Sequence, residues 1–258
     1  MPSSTLLALT FFLLLVAIGL WRLFSTKKPL TTPFPPAWRN LLETNVPFYH
    51  ALEPAEKTRF ETSIQEFLSA VRITGVQTEL DDTDRLLVAS SAVIPLFGFP
   101  GWRYRNVTEV LLYEGSFNRE YETREGQERN IMGLVGGHTV STMILSKPAL
   151  HEGFKDRHSP QNVGIHEFVH LLDRADGATD GVPESLIQQP FVIPWIKMMQ
   201  QKITQIQSGD SDINPYGSTN EAEFLSVVSE YFFKQPQLLA ENHPELFALL
   251  EKIYRQEG

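Results

Sequence analysis

The alternation of apolar and polar positions along this chain predicts a mainly helical α+β body. Phe60, Ile64, Phe67, Leu68 and Val71 fall on one face of a helix that opens near Pro54. Residues 86–96 are largely apolar, as in a buried helix, whereas residues 107–113 and 140–145 are short apolar runs that read as strands. The polar stretch between those strands, 118–130, contains Glu120, Glu122, Arg124, Glu125, Glu128 and Arg129 and reads as an exposed loop with a solvated run of charge. A helix after Pro183, a loop feeding a buried helix over 216–234, and an amphipathic helix over 244–255 complete the body.

The amino-terminal pattern is different. Residues 5–21 carry no charge and are mostly Leu, Phe, Ala, Val and Ile, enough to span a hydrocarbon core of about 30 Å. Residues 1–24 are therefore expected to form a transmembrane helix, with membrane contact through residues 5–24. A cleavable signal peptide would open on positive charge, but Arg22, Lys27 and Lys28 all follow the apolar run. Positive flanks stay on the cytoplasmic side, which predicts a single-pass inner-membrane protein with its body in the cytoplasm. Residues 25–36 hold Pro29, Pro33, Pro35 and Pro36 and read as a semi-stiff linker. Residues 37–258 are long enough for one domain with its own core.

The candidate chemistry is concentrated at His166-Glu167-Phe168-Val169-His170, an H-E-x-x-H pentapeptide. Histidines four apart project from one helix face and can converge on a zinc ion, while the intervening glutamate reaches a metal-bound water. Ser159-Pro160 reads as the cap and first-turn proline of this helix, Val163, Phe168, Val169, Leu171 and Leu172 as its apolar positions, and Gly177 as its stop. Asp173 follows His170 by three residues and can accept a hydrogen bond from a ligand histidine or a neighbouring group. His138, His151 and His158 stand at no ligand spacing and read as surface or structural histidines; His50 and His243 carry no signal.

A catalytic zinc needs a third protein ligand and an open position. Glu221, Glu223 and Glu230 compete for that place, in a segment where Thr219 or Asn220 caps the helix. Glu221 falls in the first turn, where a carboxylate favours the helix dipole. Glu223 and Glu230 are seven apart and share a face.

The segments Phe34-Pro35-Pro36-Ala37-Trp38-Arg39, Asn162-Val163-Gly164-Ile165 leading into the pentapeptide, Leu171-Leu172-Asp173 after it, Gly181-Val182-Pro183, and Ser229-Glu230-Tyr231-Phe232-Phe233 together are specific. In them the chain resembles the Mlc-titration-factor-A-like, glucose-regulated zinc metallopeptidases, whose metal site is similar to that of lethal-factor-type peptidases. The resemblance implies a zincin-like domain with one Zn2+ per chain, held by His166, His170 and Glu223. It implies Tyr216, seven residues before Glu223, as a hydrogen-bond donor to the transition state, and makes Glu230 an outer partner of a ligand side chain. Two positions depart from the family: Val169 stands where alanine is frequent, and Ile144-Leu145-Ser146-Lys147-Pro148 lacks a tryptophan. Both bear on the substrate groove, for which the strand over 138–146 is the expected edge for pairing with an extended peptide.

The expected function is therefore a membrane-anchored zinc peptidase that hydrolyses peptide or protein substrates through a zinc-bound water activated by Glu167. Aminopeptidase and endopeptidase action are both open. The alternative is a membrane-tethered protein that sequesters a transcriptional regulator, a partner the resemblance implies. A net charge of -9 and a pI near 5.3 argue against nucleic-acid binding. The chain has no cysteine, which excludes disulfides without fixing the compartment.

Overall fold

Proline at the first helical position costs no hydrogen bond and presets φ, and it opens three successive helices: α1 (Pro36–Asn45), α2 (Pro47–His50) and α3 (Pro54–Ala70). The computed structural model describes residues 33–115, 130–135, 138–183 and 189–254. All of the elements named here belong to a unit of residues 34–258.

Strand β1 (Arg72–Val76) leads into α4 (Asp82–Leu96), whose start is fixed by a capping box between Asp81 and Asp84. After β2 (Glu109–Tyr113) come β3 (Asn130–Val135) and β4 (His138–Ser146), and the sheet order is β1-β2-β4-β3. β1 pairs parallel with β2 and β2 with β4, whereas β3 runs antiparallel to β4. The helices α5 (Lys147–Lys155), α6 (Val163–Asp173), α7 (Val192–Ser208), α8 (Glu221–Lys234), α9 (Pro236–Asn242) and α10 (Pro244–Tyr254) follow.

The architecture is mainly helical α+β. Its core centres on α4, buried from Leu86 through Pro95, with α6 and α8 packed in sequence beside it. Gly164 allows that packing, because a Cβ there would collide with the Ser91 side chain on α4. Phe168 of α6 is fully buried against Phe67 and Tyr104, with ring centroids 5.5 and 5.2 Å away. The proline-aromatic segment at residues 34–39 anchors α1: Phe34 meets Trp38 edge-on, Trp38 Nε1 donates to Asp82 at 2.8 Å, and Arg39 forks onto Glu61 at 2.7 and 2.8 Å.

Several expectations are corrected. No helix among the described residues is long and apolar enough to cross a membrane. The longest, α3 and α7, have 17 residues each and are amphipathic, against the roughly 20 apolar residues that a span requires. The transmembrane helix and the single-pass inner-membrane localisation are accordingly not retained; residues 1–24 lie outside the described residues, as does most of the loop expected at 118–130. β4 is also not an edge, since it lies between β2 and β3. The motif helix starts later than its Ser-Pro signal suggests, because Asn162 is the cap, its Oδ1 accepting from Ile165 N at 3.0 Å. It ends at Asp173, and Gly177, at φ 97°, instead closes the short 3-10 turn Arg174–Asp176.

Candidate metal centre

Two crossing helices build the site. α6 is buried along most of its length and points His166 and His170, one turn apart, towards α8. α8 starts at Asn220, whose side chain accepts from Glu223 N at 2.9 Å, and this cap places Glu223 in the first turn directly opposite the histidines.

The three side chains converge. His166 Nε2 lies 2.9 Å from Glu223 Oε2, His170 Nε2 lies 3.2 Å from the same oxygen, and the two Nε2 atoms are 3.1 Å apart. Zinc–nitrogen bonds of about 2.0–2.1 Å at tetrahedral angles separate neighbouring ligand atoms by roughly 3.3 Å, close to this triangle. Two imidazole nitrogens and one carboxylate oxygen are also a donor set that suits zinc. The residues present therefore fit a metal ion, and the cluster is one that can hold it.

Electrostatics point the same way. Burial works against charge on His166, yet the carboxylates of Glu230 and Glu223 push its pKa up to about 10. Burial likewise opposes ionisation of Glu223, but hydrogen bonds from His166 and His170 hold it well below the usual carboxylate range. The centre thus favours positive charge between its ligand atoms.

Glu230, buried two turns along α8 from Glu223, holds His166 from behind. Its Oε1 is 2.7 Å from His166 Nδ1, and its Oε2 accepts the Asn162 backbone N–H in a short hydrogen bond. With a proton on Nδ1, the lone pair of His166 is left on Nε2, facing Glu223 and His170. Tyr216 sits in the 3-10 turn Pro215–Ser218, started by Asn214, with its ring centroid 5.9 Å from that of His166. Glu167 is half-buried on the motif helix.

Of the two partners expected, a ligand histidine or a neighbouring group, Asp173 hydrogen-bonds to the latter. Its Oδ2 accepts Gly181 N at 3.1 Å, a partner on the loop after α6 and not a histidine. Gly181, at φ 74°, in turn accepts Trp195 Nε1 at 2.7 Å through its carbonyl, and a Cβ there would collide with the Glu221 carbonyl. Asp173 therefore reaches the start of α8 through Gly181. Two further residues make contacts near the site without a sequence signal for them: Asn162 gives its backbone N–H to Glu230, and Lys234 at the end of α8 donates to the carbonyls of Gly153, Asp156 and Gln161. A stronger-looking Ser-Pro helix start hides the Asn162 cap, and a lysine in a last turn ordinarily signals only the helix dipole.

Comparison with known proteins follows the same direction. The family described as glucose-regulated metallo-peptidase M90 matches residues 21–255. The chain is 30% identical over 245 residues to an uncharacterised protein of Synechocystis sp., covering 91% of this chain and 89% of that one. It is 29% identical over 234 residues to Mlc titration factor A of Escherichia fergusonii, covering 86% of each. With Mlc titration factor A of Pectobacterium atrosepticum it shares 28% identity over 231 residues, covering 83% and 84% respectively. A metallo-peptidase family implies a metal ion, and the His166, His170 and Glu223 cluster is one that can hold it.

Proposed function

We propose, for a chain that belongs to the glucose-regulated metallo-peptidase M90 family, a zinc-dependent peptidase in which His166, His170 and Glu223 hold the metal. The observation that carries this reading is the convergence of two Nε2 atoms and one carboxylate oxygen within 3.2 Å of one another across the α6–α8 contact. Bound zinc supplies a Lewis acid that polarises a peptide carbonyl and acidifies a coordinated water.

The remaining work belongs to the chain's own residues. Glu167, between the two histidines on α6, takes the proton of the attacking water and returns it to the leaving amine. Tyr216, whose ring stands beside His166, donates its phenol to the developing oxyanion, a contribution of about 3 kcal/mol for a well-placed donor. Glu230 keeps His166 in the tautomer that offers Nε2. An extended peptide pairs with an outer strand, and β3 is the outer strand beside β4.

Replacing Glu167 with Gln tests this assignment. Peptide hydrolysis should fall at least about a hundredfold, the usual scale for a general base, while zinc stays near one per chain. Unchanged turnover in Glu167→Gln would sink the mechanism. Relatives of this chain carry a name that speaks of Mlc titration, and capture of a regulator of that kind is the reading to which a zinc-loaded but inactive parent would point.

A further inference from the structure

Lys234 ends α8, where a lysine usually faces its own helix's last carbonyls. Here it leaves them. Its Nζ donates to the carbonyls of Gly153 at 2.5 Å, Asp156 at 2.6 Å and Gln161 at 3.1 Å, all in the segment that runs from α5 into α6. An ammonium has three donors and no acceptor, so these bonds use its full capacity. Gln235 Nε2 adds a fourth tie to the same segment, at the Arg157 carbonyl, 3.1 Å away.

The next residue after Gln161 is Asn162, which caps α6 through its side chain and gives its backbone N–H to Glu230. Glu223, Glu230 and Lys234 lie seven and then four residues apart, so at 100° per residue they fall within about 20° of one line along α8. One stripe of α8 thus carries a candidate metal ligand, the carboxylate behind His166 and the ammonium that gathers the approach to α6. Among the described residues, Glu230 and Lys234 make no direct hydrogen bond to each other, because Glu230 is turned to Asn162 and His166 while Lys234 is turned to three carbonyls.

We propose that Lys234 is a positioning residue for the metal centre: by gathering the Gly153, Asp156 and Gln161 carbonyls it fixes the entry to α6, so that Glu230 holds the His166 ring in its ligating orientation. This rests on the metal reading above. Burial lowers the Lys234 pKa from its usual value, while Asp156, Glu230 and Glu152 pull it back up.

The test uses the full chain, with zinc titrated against a chromophoric chelator and Co2+ substituted for its visible spectrum. Lys234→Met should weaken zinc binding about tenfold, the lower end of what outer partners of metal ligands contribute, and should shift the Co2+ bands. Lys234→Met combined with Glu230→Gln should bind zinc no more weakly than Glu230→Gln alone, since both changes release one clamp. Parental zinc affinity and Co2+ spectrum in Lys234→Met, whatever its melting temperature, would overturn the proposal, as would losses that simply add in the double variant. If Lys234→Met does not fold, Lys234→Arg takes its place: the planar fork keeps the charge but cannot spread three donors from one nitrogen, and parental zinc affinity in that variant is equally fatal. A parent that binds no zinc overturns the metal reading and this proposal together, which is distinct from a zinc-binding parent with indifferent variants.

Discussion

Asp84 on α4 and Glu223 on α8 are both acids placed beside histidine, but they are neutralised in different ways. Asp84 is fully buried, with Lys147 Nζ 2.8 Å from one oxygen and His151 Nε2 2.7 Å from the other. At Asp212 the order is a chain, the acid meeting the His243 ring at 2.5 Å and Lys202 lying 3.0 Å from the other ring nitrogen. In these clusters lysine brings a permanent cation, and the histidine makes one contact per nitrogen. At Glu223 the partners are two imidazole nitrogens aimed at a single oxygen and at each other, and an imidazole carries positive charge only with a second proton or a metal. Histidine beside carboxylate is thus a poor marker of chemistry; convergence of nitrogen lone pairs on one point is the informative feature.

Two substitutions should separate these kinds of cluster, beginning with the larger effect. Glu223→Ala removes one of the three proposed ligands and should cost on the order of a thousandfold in zinc affinity, about 4 kcal/mol. Stoichiometric, tightly held zinc in that variant would turn attention to Glu230. Asp84→Ala should instead cost about 3 kcal/mol of stability, from the lost hydrogen bond of Asp81 N–H to the Asp84 carboxylate in the capping box and the lost charged hydrogen bonds of a buried group, with zinc affinity unmoved. Equilibrium urea unfolding beside a zinc titration reads both quantities. A zinc defect in Asp84→Ala that matches its stability loss would remove the distinction.

Part of this arrangement is legible in the sequence. Helical spacing suffices to put His166 and His170 on one face, because four residues is a local distance along α6. Spacing alone leaves Glu223 and Glu230 unresolved, since they share a face of α8; only the crossing of α6 over α8 puts one at Nε2 and the other at Nδ1. The α4 helix is readable from its apolar run, whereas the five-residue β1 and the antiparallel partner β3 carry too little periodicity to stand out. Sheet order is not readable either, because β2 meets β4 across a pairing such as Glu109 with Thr142, set by tertiary packing. The same limit explains Asp173, whose place near His170 is visible but whose partner, Gly181, is brought to it by a later turn.

Asp173 supplies the smallest of these effects and the opposite pH dependence. Burial raises its pKa to about 6, with Gly181 N–H pulling the other way and Asp180 and Asp176 adding repulsion. Asp84, although burial opposes its charge too, is held below the ordinary value by Lys147 and His151. For Asp84 the stability contribution is present above the unfolded pKa and is lost as pH falls through the folded one. For Asp173 the native state binds the proton more tightly, so its contribution is full below the unfolded pKa, near 3.9, and is lost as pH rises through about 6. Asn at 173 keeps an acceptor for Gly181 N–H but cannot ionise. The stability of Asp173→Asn relative to the parent should therefore climb by about 2 kcal/mol between roughly pH 4.5 and 7.5, because each tenfold difference in proton affinity between folded and unfolded chain is worth about 1.4 kcal/mol. Urea unfolding at several pH values across the window reads the difference, and a flat or falling trend would mean that Asp173 ionises as freely in the folded chain as in the unfolded one.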